Sequence, residues 1–403
     1  MGRKYQVISG DGHLETPPDF VAFLPEKYKE RAPKLITLPD GGGDAWLMEG
    51  MPLTYASQNL KGRGKVRFAG QSYFNEDGSR TDGAGDAKQR LREQDEDGLD
   101  AELLYAPIFA SRFLEKIPER EVYLAMVRAY NDWLADYCSI APDRLIANAL
   151  MPISGIDDAI GEMERVFALG IKSVHLLQQP NGGNNPTPDD DRFWEKALEL
   201  GVALSPHMSF AGVMNIGGPR HDTSQWPPEA GMTQHAGGGC ANTMAQLIVN
   251  GTFERFPELR FYFAEINAAI FPAALYYMDR DYLEYNSWFQ LDLPKLPSQY
   301  MRDHGLYGMV REPLAVSIGA ALPNDMPLDL FWWGSDFPHS VGTFPHSRTS
   351  RRRSGSSTPT CATRPRRQRG EAPRPRPRRR HHRDPCASRP SPPGHFGAIV
   401  PWP

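Results

Sequence analysis

The segment "VISGDGHLETPPDF" sets Asp11 and His13 two residues apart, directly after an apolar run. On an extended backbone, side chains at i and i+2 leave the same face, so a carboxylate and an imidazole meet there. Both types bind metals, and such a pair at a strand end makes half of a metal site. A D-x-H pair alone has little specificity. Three more residues share its setting at the end of apolar runs: His207 in "LSPHMSF", Glu265 in "FYFAEIN" and Asp336 in "WWGSDFPH". Asp11, His13, His207 and Asp336 offer two carboxylates and two imidazoles to one divalent ion, with positions left open for substrate. Asp336 and Glu265 are the candidates for proton transfer. Each residue has an ordinary reading as well. His207, after Pro206, suits a hydrogen-bonded core histidine; Glu265 suits a cap on a helix beginning near Ala268; Asp336 suits the N-cap of a turn fixed by Pro338. Four such coincidences at different strand ends favour one shared site. The other histidines fit blander roles: His175 packing inside a strand, His304 within a helix, His221 and His235 in a solvated Gly/Pro-rich loop.

A shared site requires elements that bring strand ends together. Eight apolar runs read as buried parallel strands: "QVISG", "AELLYAP", "LIANALMP", "IKSVHLLQ", "VALSPHMSF", "RFYFAEI", "LYGMV" and "LFWWGSD". Amphipathic helices alternate with them. In "PEREVYLAMVRAYNDWLADYC", Val122, Ala125, Ala129, Trp133 and Tyr137 recur at helical spacing. "GIDDAIGEMERVFALG" carries its apolar face on Ile160, Met163 and Phe167 and stops at Gly170, and "DDDRFWEKALELG" stops at Gly201. Alternation with short links predicts an all-parallel α/β fold, and eight strands predict a (β/α)8 TIM barrel of the metal-dependent hydrolase type. In that architecture the C-terminal ends of all strands face one mouth. An open doubly wound sheet is the alternative, but no phosphate-cradling glycine motif follows the first strand. The Gly-rich stretch from about 36 to 86 is extra to a minimal barrel and reads as an insertion after strand 1, folded over the mouth.

Composition sets outer limits. Of 403 residues, 40% are hydrophobic and 23% charged, as in a soluble enzyme. No run approaches the ~20 apolar residues of a membrane span, and no secretory h-region opens the chain. The four cysteines are scattered with no C-x-x-C pair, which points to a reducing, cytoplasmic setting. The net charge of −4 averages two unlike parts. Residues 1–348 form an acidic body; residues 349–403 are rich in Arg, Pro, Ser and Gly, contain no Lys and lack apolar periodicity. Such text cannot bury enough surface to fold and reads as a disordered tail. Arg without Lys is what GC-rich DNA encodes out of frame, so an out-of-frame end is preferred over a basic arm, and nucleic acid is not an expected partner. If this tail stands where an eighth helix should, Leu330, Phe331, Trp332 or Trp333 is left partly exposed, at roughly 1.5–3 kcal/mol for each large side chain.

"VISGDGHLETPPDF", "FPELRFYFAEINAAIFPAAL" and "WWGSDFPHSVGTFPHSR" together resemble the amidohydrolase-related family that includes aminocarboxymuconate semialdehyde decarboxylase. The resemblance runs over roughly residues 5–348. It implies a (β/α)8 barrel with one divalent metal ion, catalysing decarboxylation or hydrolysis. Two positions depart from the family pattern. Many members carry H-x-H on strand 1, where this chain has Asp11, and many carry a histidine at the end of strand 6, where it has Glu265. The first change makes the site richer in oxygen and widens the metal choice from Zn²⁺ toward Mn²⁺. The resemblance favours non-oxidative decarboxylation of a small carboxylated substrate, aromatic or muconate-like. The alternatives are a metal-dependent hydrolase of an ester, lactone or amide, in which Asp336 takes a proton from water, and an inactive barrel with a nucleic-acid-binding tail. A homodimer is compatible with the chain; a membrane partner is not expected.

Overall fold

A computed structural model describes residues 4–39, 43–48, 51–53 (backbone only), 72–107, 110, 114–208, 210, 239–266, 268–312, 326–339 and 341–347. The chain divides into two units, Met1–Thr360 and Cys361–Pro403. The second unit lies outside the described residues, with all of the Arg-rich tail and with His221 and His235.

The first apolar run forms β1 (Ile8–His13). A three-stranded antiparallel sheet follows within the expected insertion: β2 (Lys34–Leu38), β3 (Gly43–Met48) and β4 (Met51–Leu53). Its Trp46 is buried against Phe20 and donates its indole N–H to the Tyr73 hydroxyl at 2.9 Å. The remaining runs give β5 (Ala101–Tyr105), β6 (Leu145–Ala147), β7 (Ala149–Leu150), β8 (Ser173–His175), β9 (Ala203–Leu204), β10 (Phe261–Phe263), β11 (Gly305–Met309) and β12 (Phe331–Trp333). Every pairing among β1 and β5 to β12 is parallel, in the orders β1-β5-β6 and β7-β8-β9-β10-β11-β12. One residue, Asn148, separates β6 from β7. Beyond β12 the chain returns to β1, where the His13 N–H donates to Phe337 O at 2.7 Å and the Asp336 N–H to Asp11 O at 2.9 Å. This is a TIM-barrel-like α/β fold.

Helices link the strands: α1 (Ala87–Asp97), α2 (Arg120–Ser139), α3 (Ile156–Ala168), α4 (Asp191–Leu200), α5 (Gly239–Val249), α6 (Thr252–Arg255), α7 (Phe271–Phe289) and α8 (Pro297–His304). Asp86 caps α1 by accepting the Gln89 N–H at 2.8 Å. Gly201, at φ +66°, ends α4 as its sequence position requires. In α3 the buried stripe is Ala159, Met163 and Val166, with Ile160 and Phe167 half-buried beside it. The face is therefore turned by one residue from the sequence expectation, because Met163 sits at its centre and small Ala159 lets α3 approach its neighbours. Of the four residues for which exposure was expected, Leu330 is half-buried against the main core and Trp332 half-buried beside Tyr105 and Tyr262. Phe331 and Trp333 are buried, Phe331 against the rings of Phe271 and Tyr307, and Trp333 with Val7 and Leu99. Among the described residues no helix is long and apolar enough to cross a membrane, and Cys138 and Cys240 are buried free thiols.

Arg90 of α1 ties the site end of this framework together. It is 1% exposed and donates to Glu102 Oε2 of β5 at 2.9 Å, His13 O at 3.0 Å and Phe337 O at 3.3 Å. Its guanidinium also lies over the Phe337 ring. One side chain thus bonds to β1, β5 and the segment beyond β12. Arg90→Ala leaves the Glu102 carboxylate buried without its cation, and such losses cost about 3–5 kcal/mol. Urea denaturation should show a drop of that size; a change below about 1 kcal/mol would mean that the carbonyl contacts, and not the ion pair, hold the framework.

Candidate metal centre

The motif D-G-H answers to packing on both sides of β1. Asp11 and His13 project to one face; Gly12 points to the other, where a Cβ would overlap the Glu102 carboxylate. Gly334 is constrained in the same way, because a Cβ there would overlap Asp11 Cβ. Between the two strand ends, Ser9 Oγ donates to Asp11 O at 2.7 Å and Ser335 Oγ to Glu102 Oε1 at 2.9 Å. These buried contacts hold Asp11 and Asp336 side by side.

The five sequence-predicted site residues converge. His13 Nδ1 is 3.6 Å from Asp11 Oδ1 and 3.3 Å from Asp336 Oδ1. His207 Nε2 is 3.7 Å from Asp11 Oδ1 and 3.5 Å from Glu265 Oε2. One ligand atom from each of Asp11, His13, His207 and Asp336 lies within 4.8 Å of all the others. Asp11, His13 and Asp336 are buried and His207 is half-buried. Both carboxylate oxygens of Asp11 and of Asp336, His13 Nδ1 and His207 Nε2 are buried without a hydrogen bond. Buried polar atoms left so are costly and rare. Six of them around one point fit a divalent cation better than they fit a packed core. The ordinary reading of His207 as a hydrogen-bonded core histidine fails on the same observation. Of the histidines given blander roles that lie among the described residues, His175 packs its ring on Tyr105 at 5.1 Å, and the His304 Nδ1–H donates to Leu259 O at 2.8 Å.

Electrostatics separate the roles. Burial, and then repulsion from Asp336 and Asp11, pushes the Glu265 carboxyl well above the usual range, so it favours the protonated form. Burial also raises Asp11, partly offset by His207. His13 is held well below an ordinary histidine by burial and by the neighbouring His339, so it stays neutral, as a metal ligand must. For Asp336 burial acts upward, but His339 and the contact with His13 outweigh it and hold the group low and ionised.

His339 is the residue that sequence reasoning passed over. Its Nδ1 is 2.9 Å from Asp336 Oδ1, and its Nε2 is 3.1 Å from Oε1 of Glu15, a second unforeseen acid. Both left a signal. His339 lies in the same "GSDFPH" run as Asp336, and Glu15 continues the alternation of Asp11 and His13.

The backbone is strained where it presents the site. Among the described residues, four other than glycine have positive φ, and three sit at strand ends of the centre: Met208 (49°), Glu265 (49°) and Asp336 (52°). Glu265 combines that conformation with a buried carboxyl beside two other acids. Asn tolerates the left-handed region and carries no charge. Glu265→Asn should therefore stabilise the metal-free protein by about 1 kcal/mol. Urea denaturation in the presence of chelator measures this, and a destabilised variant would show that Glu265 is not strained.

Comparison with known proteins identifies the family and supports the fold. The model of the Amidohydrolase family matches residues 80–354. A gamma-resorcylate decarboxylase of Rhizobium sp. (strain MTP-10005) is 26% identical over 219 residues, covering 52% of this chain and 62% of that protein. The chain thus spans less than two thirds of that relative. Among solved structures, an amidohydrolase from Mycobacterium avium subsp. paratuberculosis superposes with a TM-score of 0.63 at 19% identity, covering 88% of this chain and 96% of that one. A 5-carboxyvanillate decarboxylase from Novosphingobium aromaticivorans, solved with manganese and a nitrobenzoic acid, superposes with a TM-score of 0.56 at 17% identity, covering 85% and 88%. With well over half of its length matched by the family model, the chain belongs to the amidohydrolase family.

Proposed function

We propose that this protein is a metal-dependent, non-oxidative decarboxylase of a small aromatic or muconate-like carboxylate. The observation that carries the reading is a cluster of buried ligand atoms that make no hydrogen bonds, with the buried Glu265 carboxyl 3.5 Å from His207 beside it; burial shifts that carboxyl toward its protonated form. Asp11, His13, His207 and Asp336 would hold one divalent ion, Mn²⁺ or Zn²⁺. Two carboxylates and two neutral imidazoles balance its charge. When bound, the ion supplies Lewis-acid binding of a substrate oxygen. The names of the relatives support the substrate class: gamma-resorcylate and 5-carboxyvanillate are both carboxylated aromatics.

The chain's own residues perform the proton transfer. Glu265 is a neutral acid in the mouth and donates its proton to the carbon that carries the substrate carboxylate. The bond from that carbon to the carboxylate then breaks, its electron pair returns to the ring or diene, and CO2 leaves. Glu265, now ionised, regains a proton from water. Asp336 remains ionised throughout. The framework that serves this chemistry is, in our reading, an eight-stranded closed barrel, with β6 and β7 forming one interrupted strand and the bonds between β1 and the segment beyond β12 as its seam. The antiparallel sheet of β2 to β4, within the 36–86 insertion, covers the mouth; residues 349–403 are an out-of-frame end of a cytoplasmic enzyme.

Metal analysis of the purified protein, joined to a screen of hydroxybenzoates and muconate-like acids, tests the proposal. CO2 release without incorporation of ¹⁸O from water is expected. Incorporation without CO2 release would make the enzyme a hydrolase. The double variant Asp11→Ala/His13→Ala should lose the metal while keeping its fold, and retained stoichiometry would sink the ligand assignment. Glu265→Gln should keep the metal and lose roughly 10²- to 10⁴-fold in kcat, the range expected for a lost general acid.

A further inference from the structure

We propose that Glu15 and His339 form a positioning pair for Asp336: Glu15 fixes the His339 ring, and that ring sets the orientation of the Asp336 carboxylate. The inference rests on the proposed role of Asp336 as a metal ligand. It begins with Glu15, which is fully buried. Its Oε1 takes the His339 Nε2 contact at 3.1 Å, and its Oε2 makes no hydrogen bond. A buried carboxylate is costly without a charged or hydrogen-bonding partner. Among the described residues His339 is the partner that accounts for its position.

The His339 ring is then held on three sides. Glu15 takes one nitrogen. The His13 ring stacks on its face, with centroids 4.0 Å apart and planes at 30°. The backbone N–H of His339 donates to Asp336 O at 2.7 Å, closing the turn that follows the site. A ring so fixed brings Nδ1 to 2.9 Å from Asp336 Oδ1. Apart from its contacts with His339 and His13, neither oxygen of Asp336 has a partner among the described residues, and the residue sits at φ 52°. His339 is thus the nearest group able to set where the Asp336 carboxylate points. It also braces His13, so one ring supports two of the four proposed ligands. Groups that orient ligands in this way carry about 10- to 100-fold in metal affinity.

The test is a Mn²⁺ titration of the metal-stripped full chain, following free Mn²⁺ by electron paramagnetic resonance, together with melting of the metal-free proteins. His339→Phe keeps the stacked ring and removes both nitrogens. Glu15→Ala removes the anchor. Each should raise the Mn²⁺ Kd by about 10- to 100-fold. The double variant should be no worse than either single one, because both act through one ring. Glu15→Gln keeps an oxygen that accepts from Nε2 and should stay within about one tenfold step, 1.4 kcal/mol, of the parent. The metal-free melting temperature of Glu15→Gln should match the parent; His339→Phe alone strands the buried Glu15 carboxylate and should melt lower, and the double variant should recover. Unchanged Kd in His339→Phe or Glu15→Ala overturns the inference. So do multiplying losses in the double variant, or a loss of affinity across the Glu15 variants that tracks a fall in their metal-free melting. A Glu15→Gln variant as weak as Glu15→Ala also overturns it, by showing that charge and not orientation matters. If His339→Phe does not fold, the Glu15 variants carry the same test with His339 in place. A parent protein that binds no Mn²⁺ refutes the metal reading itself, and this is seen before any variant is made.

Discussion

Four carboxylates, Asp11, Glu15, Glu265 and Asp336, are buried within one strand-end mouth, and their mutual repulsion is the constraint that the surrounding structure answers. Each would cost several kcal/mol to bury as an unpaired ion. The protein meets that cost in three different ways. Asp336 is kept ionised by imidazoles on either side, Glu15 is bonded to one of those imidazoles, and Glu265 is left protonated. Asp11 is only partly offset, by the His207 imidazole. Its two oxygens, with those of Asp336, define the place where a cation belongs.

Such a cluster needs a rigid frame, because relaxing the strands apart would relieve the repulsion. The frame consists of short buried bonds between β1 and the segment beyond β12, with Arg90 reaching both and the Ser9–Ser335 contact at 3.1 Å between them. Glycine at 12 and 334 lets these backbones approach closely enough to make those bonds. The positive φ angles of Glu265 and Asp336 belong to the same arrangement. Strain of this kind persists where the surroundings over-determine a conformation, and here the surrounding pairing does so.

The sequence was most legible where periodicity and chain direction both carried information. All eight apolar runs became strands, and the residue at the end of each candidate run entered the centre, because parallel strands deliver their C-terminal ends to one side. Helix limits at Gly201 and the cap at Asp86 follow local rules that need no tertiary knowledge. What was not legible depends on contacts between distant segments. His339 and Glu15 are far apart in sequence, and nothing in either neighbourhood states that they bond. The face of α3 came out one residue away from its reading because neighbouring helices, not the hydropathy of α3 alone, choose the buried stripe. Glu265 was visible as an acid at a strand end, but its upward shift comes from burial in the folded mouth and then from Asp336 and Asp11 lying beside it.

The two departures from the family pattern make physical sense together. Where many members place histidine on strand 1 and at the end of strand 6, this chain has Asp11 and Glu265. An imidazolium poised to donate a proton beside a divalent cation is repelled by it, and becomes neutral only after donating. A carboxylic acid does the reverse: it is neutral before the transfer and an anion after it, drawn toward the cation as the substrate carboxylate gives up its charge and departs as neutral CO2. In the proposed reaction the acid at 265 therefore suits the charge of its surroundings both before and after the transfer. Asp11 adds, after burial and Asp336, to the push that favours the protonated form of Glu265. An oxygen-rich centre and a carboxylic proton donor are thus two consequences of one electrostatic choice. That choice also widens the range of fitting ions from Zn²⁺ toward Mn²⁺.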